Sequence, residues 1–234
     1  MNKIIILSGA GLSAQSGIST FRDADGLWEN YDINRICMAG CLDWNYDETI
    51  HFYNLRRTDI SDKTPNHAHE VIAQLKTQYP NQIEVITQNV DDLLEKAQCP
   101  DVLHLHGFLP ELRCMQCDTI VNVEYDTQDD SHYCQNCGGK LRPNIVFFGE
   151  AAPKYQDMHN ILNQCGLFIT IGTSGNVINV SQLTQYADFS ILNNLESSEA
   201  IVEEVFDKIY YENATTAIDK IKKDIEKYIE SQEI

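Results

Sequence analysis

The sequence predicts an α/β protein with a parallel sheet and a second, smaller domain inserted into it. Short apolar runs alternate with helical patterns along the chain, which is typical of a parallel sheet. Several of these runs are β-branched and apolar on both faces, as strands that are covered on both sides require. Two stretches interrupt the alternation, and one of them carries four paired cysteines. These interruptions predict the smaller domain.

Seven segments are predicted to be strands because they are short, apolar and separated by helical patterns. They are Ile4–Leu7, Ile83–Thr87, Leu103–Leu105, Ile145–Phe147, Leu167–Ile171, Phe189–Leu192 and Lys208–Tyr210. The tail from Ala214 to Ser231 carries isoleucines at positions 218, 221, 225 and 229, which is helical spacing. We therefore expect a closing helix that packs its isoleucine face on the sheet.

The two interruptions divide the chain into domains. Residues 32–66 have the pattern of a helical insert, and residues 110–144 contain the cysteines and few apolar residues. We expect these two segments to form the smaller domain together. The sheet domain then comprises residues 1–31, 67–109 and 145–234.

The paired cysteines have the spacing of a zinc site. Cys114 and Cys117 form one C-x2-C pair, Cys134 and Cys137 form a second, and 16 residues separate the pairs. Four thiolates can hold one tetrahedral Zn²⁺ and leave no ligand position for water, which is typical of a structural site. Two disulfides of a secreted protein are the alternative. The other four cysteines show no pairing pattern, which suits a reducing cytosol.

The net charge limits the classes of molecule that the protein is expected to bind. The formal net charge is −18, which repels phosphate backbones and disfavours anionic membrane surfaces. The apolar run near the first residue is too short for a signal-peptide core or a membrane span. We therefore expect a soluble, cytoplasmic protein that binds neither nucleic acid nor membrane. The sequence leaves the oligomeric state open, and a monomer is favoured.

Glycines follow the first predicted strand. Gly9, Gly11 and Gly17 lie in a segment that lets the backbone turn sharply and approach a pyrophosphate at the start of a helix. Small residues also tighten ordinary strand–helix turns, so this segment alone leaves both interpretations open. An acidic ribose anchor about 20 residues further on is not evident. A mixed loop, Thr20–Trp28, occupies that region instead.

Two further strand ends carry polar side chains. Gln88, Asn89 and Asp91 follow one strand, where ligands of open α/β sheets bind, although Asp91 is equally typical of a helix start. His104 and His106 alternate along the next strand, before a glycine. A neutral imidazole at a strand end can act as a general base, or it can be a structural histidine. We interpret His104 as structural.

Taken together, these motifs resemble those of the sirtuins, NAD⁺-dependent protein-lysine deacylases. The shared motifs occur in the sirtuin order and are GAGLSAQSGISTFR, TQNVD, LHG, the two C-x2-C pairs, VFFGE and GTS. The resemblance runs from about residue 4 to about residue 215. It implies a Rossmann-like large domain, a small domain made of a zinc ribbon and the helical insert, and a cleft between them for NAD⁺ and acyl-lysine. Asn179 stands where many members have proline.

The resemblance also implies roles for individual residues. His106 matches the catalytic base, which takes a proton from a ribose hydroxyl after nicotinamide leaves and the acyl oxygen attacks the sugar. The residues that match the NAD⁺ site are Gly9, Ala10, Gly11, Thr20, Phe21, Arg22, Gln88, Asn89, Asp91, Gly172, Thr173, Ser174 and Asn194. The residues that match the peptide-binding segments are Phe148, Gly149, Glu150, Gly175, Asn176 and Val177. The products are lysine and O-acyl-ADP-ribose, and zinc serves as scaffold.

Two residues of the helical insert indicate which acyl group the protein would remove. Tyr53 and Arg56 are three residues apart and therefore neighbours on one helical face, where a phenol and a guanidinium can grip a carboxylate. The pair matches the Tyr-x-x-Arg of sirtuins that remove succinyl, malonyl and glutaryl groups. An amphipathic helix with buried Tyr53 and solvated Arg56 is the alternative. For the activity as a whole, the alternatives are an ADP-ribosyltransferase or NAD⁺ hydrolase on the same scaffold, or a non-enzymatic binding module.

Overall fold

A computed structural model of the protein describes residues 2–18, 32–129 and 132–232. In the described part, the strands in chain order are β1 (Lys3–Ser8), β2 (Ile83–Thr87), β3 (Leu103–His104), β4 (Gly107–Cys114), β5 (Ile120–Asn122), β6 (Leu141–Ile145), β7 (Cys165–Ile171), β8 (Phe189–Asn194) and β9 (Lys208–Tyr211). The α-helices are α1 (Ile33–Ile36), α2 (Cys41–Trp44), α3 (Tyr46–Ser61), α4 (His67–Gln78), α5 (Leu93–Lys96), α6 (Tyr155–Leu162), α7 (Val180–Leu183) and α8 (Ala214–Gln232).

The large sheet is parallel throughout and has the strand order β3-β2-β1-β7-β8-β9. Alternate residues of β1 serve opposite faces. Ile4 and Ile6 belong to a buried cluster with α4 and α8, whereas Ile5 and Leu7 belong to a cluster with α6. The sheet is therefore covered on both faces, as its apolar strands require. The α8 isoleucines are buried at all four predicted positions, so the closing helix is confirmed.

The smaller sheet is antiparallel and has the order β5-β4-β6. It carries the paired cysteines, and α1, α2 and α3 of the insert lie beside it, with α3 contacting β4 and β6. The predicted fold class, a parallel sheet with a smaller cysteine-bearing part, is confirmed. The exact domain bounds stay a prediction. None of the helices in the described ranges has both the length and the apolar character that crossing a bilayer requires.

One predicted strand of the large sheet is wrong. The apolar run Ile145–Phe147 is not a strand of that sheet, because β6 ends at Ile145 and pairs antiparallel with β4. After Ile145 the backbone changes partners: Val146 N–H donates to His106 O, and Phe148 N–H donates to Cys37 O. The run is apolar because Ile145 and Phe147 are buried in the cluster that the helical insert forms. Its partner β4 was not predicted, because Pro110, Glu111 and Arg113 break the apolar pattern.

Candidate active site

The loops after β1 and β7 meet at the centre of the large sheet. Counted within this sheet, the strand order is 3-2-1-4-5-6, so the order in which strands are added reverses between β1 and β7 and leaves a crevice at their carboxyl ends. Gly11 N–H donates to Gly172 O at 2.8 Å. A Cβ added to Gly9 would lie 2.7 Å from Gly172 O. The two loops are therefore too close for side chains at these glycines.

Two adjoining cavities occupy the crevice. The loop-side cavity has a volume of about 340 Å³, and the insert-side cavity has a volume of about 320 Å³. Predicted site residues that line the loop-side cavity are Gly9, Ala10, Gly11, Gln88, Asn89, His106, Gly172, Thr173, Ser174, Val177 and Asn194. Those that line the insert-side cavity are Ala10, Tyr53, Arg56, Gln88, Asn89, Asp91, His106, Phe148, Gly149, Glu150 and Val177. His106 lies where the two cavities join.

Two of the described site residues do not line these cavities. Gly175 and Asn176 line neither cavity, although they adjoin Val177, which lines both. Thr20, Phe21 and Arg22 lie outside the described residues, so their predicted roles stay predictions.

Both ring nitrogens of His106 have partners. Nδ1 lies 3.1 Å from Gln88 O, and Nε2 lies 3.0 Å from the Tyr155 hydroxyl. A carbonyl oxygen can only accept, so Nδ1 carries the proton of the neutral ring and Nε2 presents its lone pair. Burial lowers the pKa of His106, although the Gln88 carbonyl opposes this shift. The imidazole is therefore neutral near pH 7 and can accept a proton at Nε2.

His104 is held differently from His106. Its Nε2 lies 2.8 Å from Glu95 Oε1, and its Nδ1 lies 3.0 Å from Asn89 O. Burial acts to lower the pKa of His104, but the hydrogen bond and charge of Glu95 outweigh it and raise the pKa. His104 thus ties α5 to the Asn89 loop, in agreement with a structural role.

A buried network fixes Asp91 and Asn89. Ser13 donates its hydroxyl to Asp91 Oδ2 at 2.9 Å and accepts from Asn89 Nδ2 at 3.1 Å. His69 Nδ1 accepts from the Asn66 N–H, so its Nε2 bears the proton and faces Ser13 Oγ at 3.3 Å. Burial lowers the pKa of His69 to about 4, which keeps this ring neutral. Burial raises the pKa of Asp91, and its bonds to Ser13 and the Leu93 N–H oppose the rise.

Three residues of the site were not predicted from the sequence as site residues: Ser13, His69 and Tyr155. Ser13 lies within the glycine segment, so its position next to the turn was a usable signal. His69 follows the helix-capping Asn66 by three residues, which signals a capping box and not a role in the site. The Tyr155 contact depends on how α6 packs, and no local pattern signals it.

The four paired cysteines converge in the small sheet. Their Sγ atoms all lie within 4.8 Å of one another, with Cys114–Cys137 at 3.5 Å and Cys117–Cys134 at 3.6 Å. Four sulfurs bound at about 2.3 Å to a central Zn²⁺ would be about 3.8 Å apart. None of the eight cysteines forms a disulfide. The donor set therefore fits a structural zinc ion and not the disulfide alternative.

Comparisons with known proteins agree with this arrangement. The Sir2 family pattern matches residues 9–179. A protein of Campylobacter jejuni strain RM1221 named NAD-dependent protein deacylase is 52% identical over 230 residues, which cover 98% of each chain. One of the same name from Helicobacter hepaticus is 43% identical and aligns over 97% of this chain and 99% of its own. This chain belongs to the Sir2 family.

Solved structures of Sir2 homologues share the fold of the whole chain. A Sir2 homologue–NAD complex has a TM-score of 0.84 and 29% identity, covering 97% of this chain and 90% of its own. A mutant Sir2 homologue in complex with ADP ribose has a TM-score of 0.85 and 29% identity, with 97% and 93% covered. Both neighbours therefore align over the two sheets of this Sir2 family chain and not over the large sheet alone.

In this Sir2 chain the insert contributes Tyr53 and Arg56 to the wall of the insert-side cavity. Tyr53 is buried, stacks on Phe147 at 5.5 Å between ring centroids, and donates its hydroxyl to Cys37 Sγ at 3.4 Å. Arg56 is also buried, and its Nη1 lies 3.4 Å from Asp59 Oδ2. The expectation of a solvated Arg56, which accompanied the amphipathic-helix alternative, is therefore wrong. Burial lowers the pKa of Arg56, and Asp59 opposes this shift.

The Glu150 carboxylate stabilises the loop in which it lies. Its carboxylate accepts from Arg142 Nη1 at 2.6 Å and Nη2 at 3.0 Å, and Oε2 also accepts from the Phe147 N–H at 2.9 Å. Burial acts to raise the pKa of Glu150, but the Arg142 guanidinium outweighs it and holds the pKa below its usual range. The loop is thereby closed, and Phe148 is left 39% exposed beside the cavity.

Two asparagines support the loop side of this Sir2 site. Asn194 Nδ2 donates to Thr173 O at 2.9 Å and so fixes the loop that contains Thr173. Asn179 caps α7 by accepting from the Gln182 N–H at 3.3 Å.

Proposed function

We propose that this chain is an NAD-dependent protein deacylase that removes acyl groups from lysine side chains and yields nicotinamide and O-acyl-ADP-ribose. One observation carries the proposal: the His106 imidazole lines both cavities, and its Nε2 lies 3.0 Å from the hydroxyl of Tyr155, which lines the insert-side cavity. A base in this position can serve a cofactor on one side and an acyl-lysine on the other. The names of the Campylobacter and Helicobacter relatives support the same activity.

The loop-side cavity would hold the cofactor. Gly9, Gly11 and Gly172 line this cavity, and without side chains they let the loops after β1 and β7 pack against each other and present backbone to a pyrophosphate. The Thr173 and Ser174 hydroxyls and the Gln88 amide add hydrogen-bonding groups, and Gln88 Nε2 donates to Thr173 Oγ1 at 3.1 Å. When bound, NAD⁺ supplies the ADP-ribosyl group that receives the acyl group and the nicotinamide that leaves. The predicted contacts of Thr20, Phe21 and Arg22 complete the proposed cofactor site.

The residues of the chain orient the reactants and move one proton. Gln88 O fixes the His106 tautomer, so Nε2 accepts the proton of the attacking hydroxyl. The Ser13 network holds Asn89 and Asp91 at the wall of the insert-side cavity, where they would contact the nicotinamide end. Phe148, Gly149 and Glu150, with Gly175, Asn176 and Val177, form the proposed groove in which the substrate peptide adds as a strand. Zinc, held by the four cysteines, would stabilise the small sheet and take no part in the reaction.

The insert-side cavity supports a preference for acyl groups that end in a carboxylate, such as succinyl and malonyl. The cavity has apolar walls from Ile60, Leu109 and Phe147, which suit a short aliphatic chain. Tyr53 and Arg56 add one phenol and one buried guanidinium to that wall. A carboxylate at the end of the acyl chain would gain charge-assisted hydrogen bonds there, and an acetyl group would not reach them.

The experiment that tests this function is a panel of acetyl-, succinyl- and malonyl-lysine peptides, incubated with and without NAD⁺ and analysed by mass. We expect NAD-dependent loss of the acyl group and one O-acyl-ADP-ribose per lysine released. Free ADP-ribose with intact acyl-lysine would establish the NAD⁺ hydrolase alternative instead. ADP-ribose attached to protein would establish the transferase alternative.

Replacement of Arg56 by methionine tests the acyl preference. We expect kcat/KM for succinyl-lysine to fall about 10- to 150-fold, because losing a charge-assisted hydrogen bond costs about 1.5–3 kcal/mol. The value for acetyl-lysine should change much less. The matched control is Arg35→Met, because Arg35 belongs to the same insert but its side chain is 58% exposed. An equal loss on both substrates would remove the assignment of Arg56.

A further inference from the structure

Tyr155 touches the imidazole, yet the proposed reaction does not use it. It is the first residue of α6 and lines the insert-side cavity. Its hydroxyl lies 3.0 Å from His106 Nε2, and the two ring centroids are 6.0 Å apart. The Tyr155 ring also packs against the buried cluster that contains Met158 and Leu162 of the same helix. Its position is therefore set by helix packing as well as by the contact with His106.

The direction of the hydrogen bond follows from the protonation of both groups. Nδ1 bears the imidazole proton because it faces Gln88 O, so Nε2 can only accept. Burial raises the pKa of Tyr155, which keeps the phenol protonated near pH 7. The Tyr155 hydroxyl is consequently the donor and Nε2 the acceptor.

Most of the other ionisable groups around His106 have partners of their own. Those in the insert-side cavity are Cys37, Tyr53, Arg56, Asp91 and Glu150, and those in the loop-side cavity are Glu196 and Glu212. Tyr53 donates to Cys37, Arg56 pairs with Asp59, and Glu150 pairs with Arg142. Asp91 accepts from Ser13, and Glu212 pairs with Lys220. Within the described ranges, the hydrogen bonds of the imidazole itself run to Gln88 and Tyr155.

We infer that Tyr155 is a positioning residue for His106. In the cofactor-free chain the Tyr155 hydroxyl donates to Nε2, and the substrate hydroxyl takes its place when the substrate binds. The inference rests on the proposed function, because that function makes Nε2 the proton acceptor. A phenol is a stronger donor than acceptor, so the bond that it donates to the Nε2 lone pair stabilises the neutral ring more than the bond that it could accept from the protonated ring. Tyr155 therefore keeps the base unprotonated and in place while the cavity holds no cofactor.

The test is the titration of His106 in the Tyr155→Phe variant, which keeps the ring and removes the hydroxyl. The imidazole Cε1–H signal of His106 is followed by NMR in the cofactor-free chain and assigned by its loss in His106→Asn. We expect the pKa of His106 to rise by about half a unit to one unit, the equivalent of one neutral hydrogen bond. The acidic limb of the kcat/KM profile should move toward higher pH by the same amount.

Tyr186→Phe is the matched control, because Tyr186 packs against the same buried cluster but faces His159, with ring centroids 6.3 Å apart. It should leave the pKa of His106 unchanged. No shift in Tyr155→Phe, a downward shift, or an equal shift in both variants would overturn the positioning role. The titration needs no NAD⁺, so it is independent of the peptide panel. A shift in a chain that fails that panel would support the contact and overturn the proposed function instead.

Discussion

At the residue scale, three histidines in and around the site differ in their hydrogen-bond partners and in the direction of their pKa shifts. His106 is neutral and bonded through Nδ1 to a backbone carbonyl, which leaves Nε2 for chemistry. His69 is neutral because of burial, and Asn66 and Ser13 engage both of its nitrogens. His104 pairs with Glu95, which raises its pKa. Of the three, His106 is the one that lines both cavities of the crevice.

Replacement of His106 by alanine should abolish the proposed deacylation. We expect kcat to fall about 100- to 10,000-fold, the usual contribution of a general base, while the melting temperature stays close to that of the parent chain. The measurement is acyl-dependent nicotinamide release. In the parent chain the lowered pKa of His106 should keep the base active below about pH 6.5, with activity lost as the pH falls through the folded-state pKa. Full turnover in a folded alanine variant would contradict the role of His106.

The sequence predicted some of these residues and could not predict others. His106, Asn89 and Asp91 lie at strand ends, where period-2 alternation and the topology of parallel sheets bring side chains to one edge. Tyr155 is 49 positions from His106, and only the packing of α6 brings them together. Ser13 lies in a recognisable turn, but its hydrogen bond to Asp91 joins side chains 78 positions apart.

At the scale of elements, α4 links the glycine segment to the buried network. Asn66 caps α4 by accepting from the Ala68 N–H at 3.0 Å and the His69 N–H at 3.4 Å. The Asn66 amide also donates to Leu12 O at 2.9 Å and Ser16 Oγ at 3.1 Å. One side chain therefore starts the helix and holds the turn that follows β1. A strand-and-helix pattern predicts the helix but not this second attachment.

Replacement of Asn66 by alanine should lower the free energy of unfolding by about 1–2 kcal/mol, because the cap is lost. Urea denaturation measures this change. The affinity for NAD⁺, measured by calorimetry, should fall as well, since the turn after β1 loses its anchor. As a control, Asn160→Ala removes an exposed asparagine of α6 and should change stability by less than about 0.5 kcal/mol. Equal stability of the two variants would contradict the capping role.

At the scale of the whole molecule, the cysteine-bearing part has little core of its own. Its buried cluster consists of Leu112, Cys114, Cys134 and Leu141. A cluster this small cannot offset the loss of chain entropy without a cross-link or a metal. The small sheet also reaches the site directly, because β4 begins next to His106 and β6 leads into the Phe147–Glu150 turn. Zinc would therefore stabilise the site through two strands.

Removal of one sulfur should release the metal. We expect Cys134→Ala to lose about one zinc per chain by atomic mass analysis and to become sensitive to protease between residues 115 and 139. Cys165→Ala is the control, because Cys165 is buried in the large sheet and belongs to no metal-ligand group in the described chain. Full zinc content in Cys134→Ala would contradict the four-sulfur site.

The position of β1 at the centre of the large sheet has a consequence for synthesis on the ribosome. β1 pairs with β2 on one side and with β7 on the other. The edge of β1 that pairs with β7 therefore stays unpaired until Cys165–Ile171 has been synthesised. At about 5–20 residues per second, the interval between the two partners is on the order of ten seconds. During that interval a nascent strand of four consecutive apolar residues is open to aggregation, and the cofactor turn next to it cannot close.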